Sequence, residues 1–281
     1  MKKVLTKPVK AYKNASWLNS RHARPIRILS EFFEPSSRFI QFGIHSTVVF
    51  FGSARIKSKN EVLKIINDTK NNFTKKLITK LKYNNLQEQN KSLLELSKYY
   101  EDATELSRLL TEWTQTLPLE KRIYVCSGGG PGIMEAANKG AKLANGKSIG
   151  LNISLEFEQD SNKFISPDLN FEFHYFFMRK YWFMYLGKAL IAFPGGFGTI
   201  DEMMELLTLS QTSKIKKKIT VLLYGKEYWE KIINFKELAR LELISKKDLS
   251  LFSFVNSPKE AFVKLKTDLI KNYPEYFASN E

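Results

Sequence analysis

The chain has 281 residues, a formal charge of +15, 43% hydrophobic residues, three histidines and a single cysteine. One cysteine excludes an internal disulfide and a cysteine-based zinc cluster, and His22, His45 and His174 show no ligand spacing, so neither a bound metal nor a cofactor is expected. No apolar run approaches the roughly 18–20 residues of a membrane helix, so the chain is expected to work without a membrane partner.

Residues 1–30 hold Lys2, Lys3, Lys7, Lys10, Lys13, Arg21, Arg24 and Arg27 and no acid. They read as part of a basic N-terminal extension over 1–40, followed by a single domain over 41–281, although Ile26–Phe33 already resembles a packed segment. No apolar signal core is present, which excludes secretion. A cytoplasmic location is expected, with organellar import through the basic leader as the alternative. Lysine supplies most of the charge. These lysines are spread over the chain instead of gathering into one stripe, so they read as solvated helix faces and not as a nucleic-acid surface.

From His45 onward strands and helices alternate. Ser46–Gly52 (STVVFFG) has the length and β-branched composition of a buried parallel strand. Residues 56–95 are polar and lysine-rich, with a turn-like Asn84-Asn85, and read as a helical insertion. A long helix follows, carrying Tyr99, Leu106, Leu109, Leu110 and Trp113. Arg122–Cys126 is the second strand, with a helix from about Pro131, and Ser148–Ile153 the third. Phe171–Phe176 alternates as a strand exposed on one side. Met178–Leu186 is a short, buried aromatic helix, Ala189–Phe193 a core strand, Ile200–Thr212 a helix and Ile219–Leu223 a further strand. This order predicts an α/β, Rossmann-like, doubly wound and mostly parallel sheet with helices on both faces.

Ligands bind such sheets beyond the carboxyl ends of the strands, and three of those ends carry unusual residues. The first is Gly52-Ser53-Ala54-Arg55, where Arg55 can reach an anion, although a plain tight turn explains it equally. The second, Ser127–Gly132 (SGGGPG), opens a helix whose N–H groups make a seat for phosphate, with Pro131 suited to the first helical position. No Gly-Lys-Ser/Thr follows, so it is not a Walker loop. The third is Pro194–Glu202 (PGGFGTIDE). Thr199 and Glu202 have capping-box spacing there, but a cap does not explain three glycines in front of it.

The last two loops together resemble the LOG ("lonely guy") family. Its PGGxGTxxE hallmark stands complete as Pro194 to Glu202, its GGGPGxMEAAN signature as Gly128–Asn138, and its Arg-Lys pair as Arg179-Lys180 after Met178. The likeness runs from about Ala23 to Leu265, with VVFFGSAR, HYFFMRK, LTLSQTSKI and YGKEYW matching the longer members.

The resemblance implies a Rossmann-like homodimer that hydrolyses the N-glycosidic bond of a purine nucleoside 5′-monophosphate, AMP or an N6-modified AMP of the cytokinin type, to free base and ribose 5-phosphate. By motif position, Arg179 and Glu202 are the catalytic pair. Gly195, Gly196, Gly198 and Thr199 hold phosphate, with Ser53, Gly129 and Gly130 lining the same pocket, and Arg55, Met178 and Lys180 are further candidate substrate contacts. In this reading Glu202 stabilises the cationic sugar and activates water, and Arg179 keeps it ionised by lowering its pKa. The older family name "lysine decarboxylase" is set aside, because nothing in the sequence marks a Schiff-base lysine. The rival from another class is a non-catalytic nucleotide- or nucleic-acid-binding Rossmann protein, which has no need of the Arg179/Glu202 pair. Cys126 reads as a core residue and His174 as a structural one.

Overall fold

The computed structural model describes residues 7–155 and 160–277. Lys2 and Lys3 of the basic leader lie outside them. The helices and strands run α1 (Ala15–Leu18), α2 (Arg24–Gln41), β1 (Thr47–Phe51), α3 (Lys59–Thr74), α4 (Lys80–Gln115), β2 (Tyr124–Ser127), α5 (Ile133–Leu143), β3 (Ser148–Ile153), β4 (Asn170–Phe173), α6 (Phe176–Leu186), β5 (Gly187–Ala192), α7 (Phe197–Gln211), β6 (Thr220–Tyr224), α8 (Lys226–Ile232), α9 (Phe235–Arg240), β7 (Ser253–Val255) and α10 (Pro258–Asn272). Among the described residues the strands form one all-parallel sheet in the order β4-β3-β2-β1-β5-β6-β7. This is the Rossmann-like α/β architecture that the alternation of elements predicts.

β1 lies at the centre, with Val49 opposite Cys126 on one side and Leu190 on the other. All five of its residues are buried, which is why the run is apolar throughout instead of alternating. Successive side chains still point to opposite faces. Val49 and Phe51 join the core built with α2, α6 and α7, and Val48 and Phe50 the core built with α4, α5 and α10. The chain lays down β1 to β4 in one direction and then crosses back to place β5 on the free flank of β1. The crevice at that reversal is where open α/β sheets bind their ligands.

Several boundaries differ from expectation, each for a local reason. The strand expected over Phe171–Phe176 stops at Phe173, because the next two N–H groups turn away: His174 N and Tyr175 N donate to the carboxylate of Glu31 at 2.8 and 3.2 Å. Trp182 Nε1 donates to the Glu31 carbonyl at 2.9 Å, so α2 clamps the start of α6. Residues 24–40, expected within the basic extension, belong to this helix, and Phe39 packs in the core against Phe171 and Trp182. Asn84-Asn85 lies inside α4. The reversal comes earlier, where Lys76 adopts a φ of 55°, and Thr79 then caps α4 by accepting from Lys82 N. α5 begins at Ile133, two residues after Pro131, so the proline is not its first residue.

Candidate active site

Ser53 joins the three loops at the sheet edge. Its N–H donates to the Pro194 carbonyl at 3.0 Å, its carbonyl accepts from Ile133 N at 3.1 Å, and its hydroxyl accepts from Arg55 N at 3.1 Å. The glycine at 132 makes this approach feasible. It holds φ 71° and ψ −131°, and any Cβ there would run into the Ser53 carbonyl and the Ala54 backbone. Because Ser53 takes the first N–H of α5, the phosphate seat expected at the second loop is partly occupied by the chain itself.

The third loop is different. α7 starts at Phe197, with Gly196 as an N-cap that offers no side-chain bond. Thr199 is therefore the third residue of the helix and Glu202 the sixth, so the capping-box reading of that pair is corrected: neither residue caps α7. The opening N–H groups of a helix have no acceptor within it, and here they belong to residues that line a cavity of about 880 Å³. The loop carbonyls are pinned elsewhere, Pro194 by Ser53 N–H and Gly195 by the hydroxyl of Tyr228 at 2.6 Å. An uncapped helix start with its carbonyls tied back has the geometry that can receive an anion.

Arg179 of α6 and Glu202 of α7 meet at the floor of this cavity. The nearest approach is Arg179 Nη2 to Glu202 Oε1 at 3.8 Å, with side-chain exposures of 14% and 3%. Arg179 Nε and Glu202 Oε2 have no hydrogen-bond partner among the described residues. Burial pushes the Glu202 carboxyl up to about 7, outweighing the opposing pull of Arg179 and Lys180. The expectation that Arg179 holds it below the usual range is thereby corrected. At 3.8 Å the ion pair is too loose to offset the loss of hydration. The same burial pushes the Arg179 guanidinium down from its usual value. Its planar head also lies over the rings of Phe176 and Phe183, at 5.2 and 5.6 Å from their centroids.

The second loop is held from behind by a buried amide network. Asn162 Nδ2 donates to the carbonyls of Gly129 and Gly130 and to Asn138 Oδ1, at 3.0, 3.1 and 2.9 Å. Ser127 Oγ donates to Asn138 Oδ1 and itself accepts from Gly129 N. Gly130 reaches the cavity, whereas Gly129 stands behind the wall and closes this network.

Of the residues expected at the site, Ser53, Arg55, Gly130, Arg179, Gly195, Gly196, Gly198, Thr199 and Glu202 line one cavity. Met178 does not: it is buried in the core between α6 and the sheet. Lys180 does not either, since it turns outward to Asp201 and Glu205 at 2.7 and 2.8 Å. The sequence did not single out Asn152, Tyr228, Leu93 and Leu96, which also line the cavity. Nothing in the local sequence signals them, because their elements come together only in the fold. Cys126 is buried, with its thiol pushed up by that burial, and His174 lies outside the cavity with its N–H on Glu31. Among the described residues no cluster of three or more His, Cys, Asp or Glu could hold a metal, and no helix is long and apolar enough to cross a membrane.

Comparison with known proteins agrees with this picture at the level of family. Residues 134–265 match the family described as "Possible lysine decarboxylase". No protein with a curated description matches the chain. Among solved structures, that of TM1055, a structural-genomics target, is 15% identical, with a TM-score of 0.45 over 79% of this chain and 99% of its own. The Moco carrier protein from Chlamydomonas reinhardtii is 17% identical, with a TM-score of 0.44 over 80% of this chain and 99% of its own. The stretch that matches the "Possible lysine decarboxylase" family, residues 134–265, holds both Arg179 and the PGGFGTIDE loop.

Proposed function

We propose that this protein hydrolyses the N-glycosidic bond of a purine nucleoside 5′-monophosphate, AMP or an N6-modified AMP, to free base and ribose 5-phosphate. The observation that carries the reading is the Arg179/Glu202 pair. It consists of two buried, oppositely charged groups, each with a buried polar atom that no described residue satisfies, and both residues line a nucleotide-sized cavity beside an uncapped helix start. A molecule that only binds nucleotides gains nothing from a carboxylate that costs so much to bury.

In this mechanism the start of α7, from Gly196 to Thr199, grips the 5′-phosphate and so positions the sugar. Breaking the bond to the base puts positive charge on the ribose ring, as in glycoside hydrolysis. Ionised Glu202 stabilises that charge and takes a proton from the attacking water, which adds to the sugar carbon as the base leaves with the bond electrons. A carboxyl near 7 suits a general base at neutral pH. Arg179 orients the carboxylate and the ribose hydroxyls.

Decarboxylation, as in the family's printed description, does not fit this cavity. Such chemistry on an amino acid calls for pyridoxal phosphate on a Schiff-base lysine, and among the described residues no lysine lines the cavity. The proposed enzyme works as a homodimer. The half-exposed rings of Phe177 and Tyr185 on α6, with Leu29 and Phe33 on α2, give it an apolar face to cover.

Incubating the protein with AMP, N6-isopentenyl-AMP, other monophosphates and adenosine, and following free base by chromatography, tests the reading. Base from monophosphates but not from adenosine is expected. No base from any of them, with the protein folded, would replace it with the nucleotide-binding alternative.

A further inference from the structure

We propose that Asn152 is a specificity-determining residue that accepts a hydrogen bond from an amino group on the base. The proposal rests on the nucleotide reading above and adds the feature of the base that the site recognises.

Asn152 is the penultimate residue of β3, is 6% exposed, and lines the same cavity as Arg179 and Glu202. Its Nδ2 donates to Asn170 Oδ1 at 2.7 Å and to the Phe171 carbonyl at 2.8 Å. A backbone carbonyl can only accept, so the nitrogen of the amide must face Phe171, and the orientation of the side chain is settled without reference to Asn170. Both N–H groups are then committed. Oδ1 remains as an acceptor, and no described residue donates to it. It lies against the Cα of Gly129, where a Cβ would collide with it, so the glycine at 129 leaves the space this oxygen occupies.

Its place along the sheet edge decides which part of a nucleotide it meets. The anion seat follows β5, and β3 stands three strand positions away in the order β3-β2-β1-β5. At about 4.8 Å per strand this is on the order of 14 Å. A phosphate held at α7 leaves the far end of the nucleotide, its base, within reach of Asn152, across a cavity that Arg179 and Glu202 also line. A fixed, nearly buried acceptor favours a base carrying an amino group and disfavours one carrying a carbonyl at that position, where two acceptors would face each other unpaired.

The test is calorimetric titration of the full chain with AMP and with IMP, using Glu202→Gln in every protein to prevent turnover. AMP is expected to bind at least about tenfold tighter than IMP, in the range of one unpaired buried polar group. Adding Asn152→Leu should bring the two affinities to within about threefold, mainly by weakening AMP. Asn152→Ser serves the same purpose if the leucine variant does not fold. Equal binding of AMP and IMP before the substitution, or an unchanged preference after it, would overturn the proposal and leave the nucleotide reading intact. Binding of neither nucleotide would remove that reading, and this proposal with it.

Discussion

Arg179 and Glu202 approach to 3.8 Å and no closer, and each keeps a buried polar atom without a partner among the described residues. A salt bridge that served stability alone would close to hydrogen-bonding distance and satisfy both groups.

Glu202→Gln keeps the shape of the side chain and removes its charge. Base release from AMP should fall at least about a hundredfold, the usual loss for a catalytic acid–base group. Wild-type turnover in a folded Glu202→Gln variant would remove Glu202 from the mechanism.

The same residue makes two pH predictions. Its folded carboxyl titrates at about 7 against 4.5 for the free group, so between those values the folded state holds a proton that the unfolded state has released. Its contribution to stability is therefore complete below pH 4.5 and is lost as pH rises through 7, a change of about 3 kcal/mol in the ligand-free protein. Urea titrations at about pH 5 and about pH 8 should show this drop in the wild type and little of it in Glu202→Gln. Activity moves the opposite way, since the base must be ionised: kcat/KM for AMP should rise through an apparent pKa near 7 and level off above it.

Thr199 separates binding from capping. Because Gly196 caps α7 without a side chain, Thr199→Val removes a hydroxyl but no cap bond. KM for the monophosphate should rise about tenfold, as for a lost hydrogen bond to a charged group, with kcat and unfolding free energy close to wild type. A fall in stability without a change in KM would make Thr199 a structural residue.

Gly132→Ala should damage both the fold and the site. The new Cβ has only backbone to displace, at a φ that non-glycine residues avoid, so a loss of more than about 2 kcal/mol in thermal or urea unfolding is expected. Stability within about 0.5 kcal/mol of wild type, the margin for neutral changes, would mean that the Ser53–Ile133 junction is slack.

How far these features were legible depends on the range of the interactions that set them. Ser148–Ile153 was read with its observed limits, because six residues of buried strand between turn residues carry their own signal. The PGGFGTIDE loop was equally plain. The end of β4 was not: Phe171 to Phe177 is rich in aromatic residues throughout, and the break after Phe173 is made by Glu31, more than 140 residues away. Thr199 and Glu202 have the spacing of a cap, yet the helix starts three residues earlier because glycine can supply the start itself. The sign of the shift at Glu202 was misread for a related reason. Sequence names the neighbouring charge, while the depth of burial that outweighs it exists only once α6 and α7 have packed. Asn152, Tyr228 and the two leucines of α4 belong to the same class of residue, placed by topology alone.

The grip of Glu31 on the start of α6 bears on any shortening of this chain. A domain boundary near residue 41 invites removal of the basic leader for expression. That cut would take away Glu31 and Phe39, leave two backbone N–H groups of the 174–175 turn unpaired, and release the helix that presents Arg179. A truncated protein of this kind would fail as an enzyme while keeping every residue of its signature loops. Trimming should therefore stop short of Arg24.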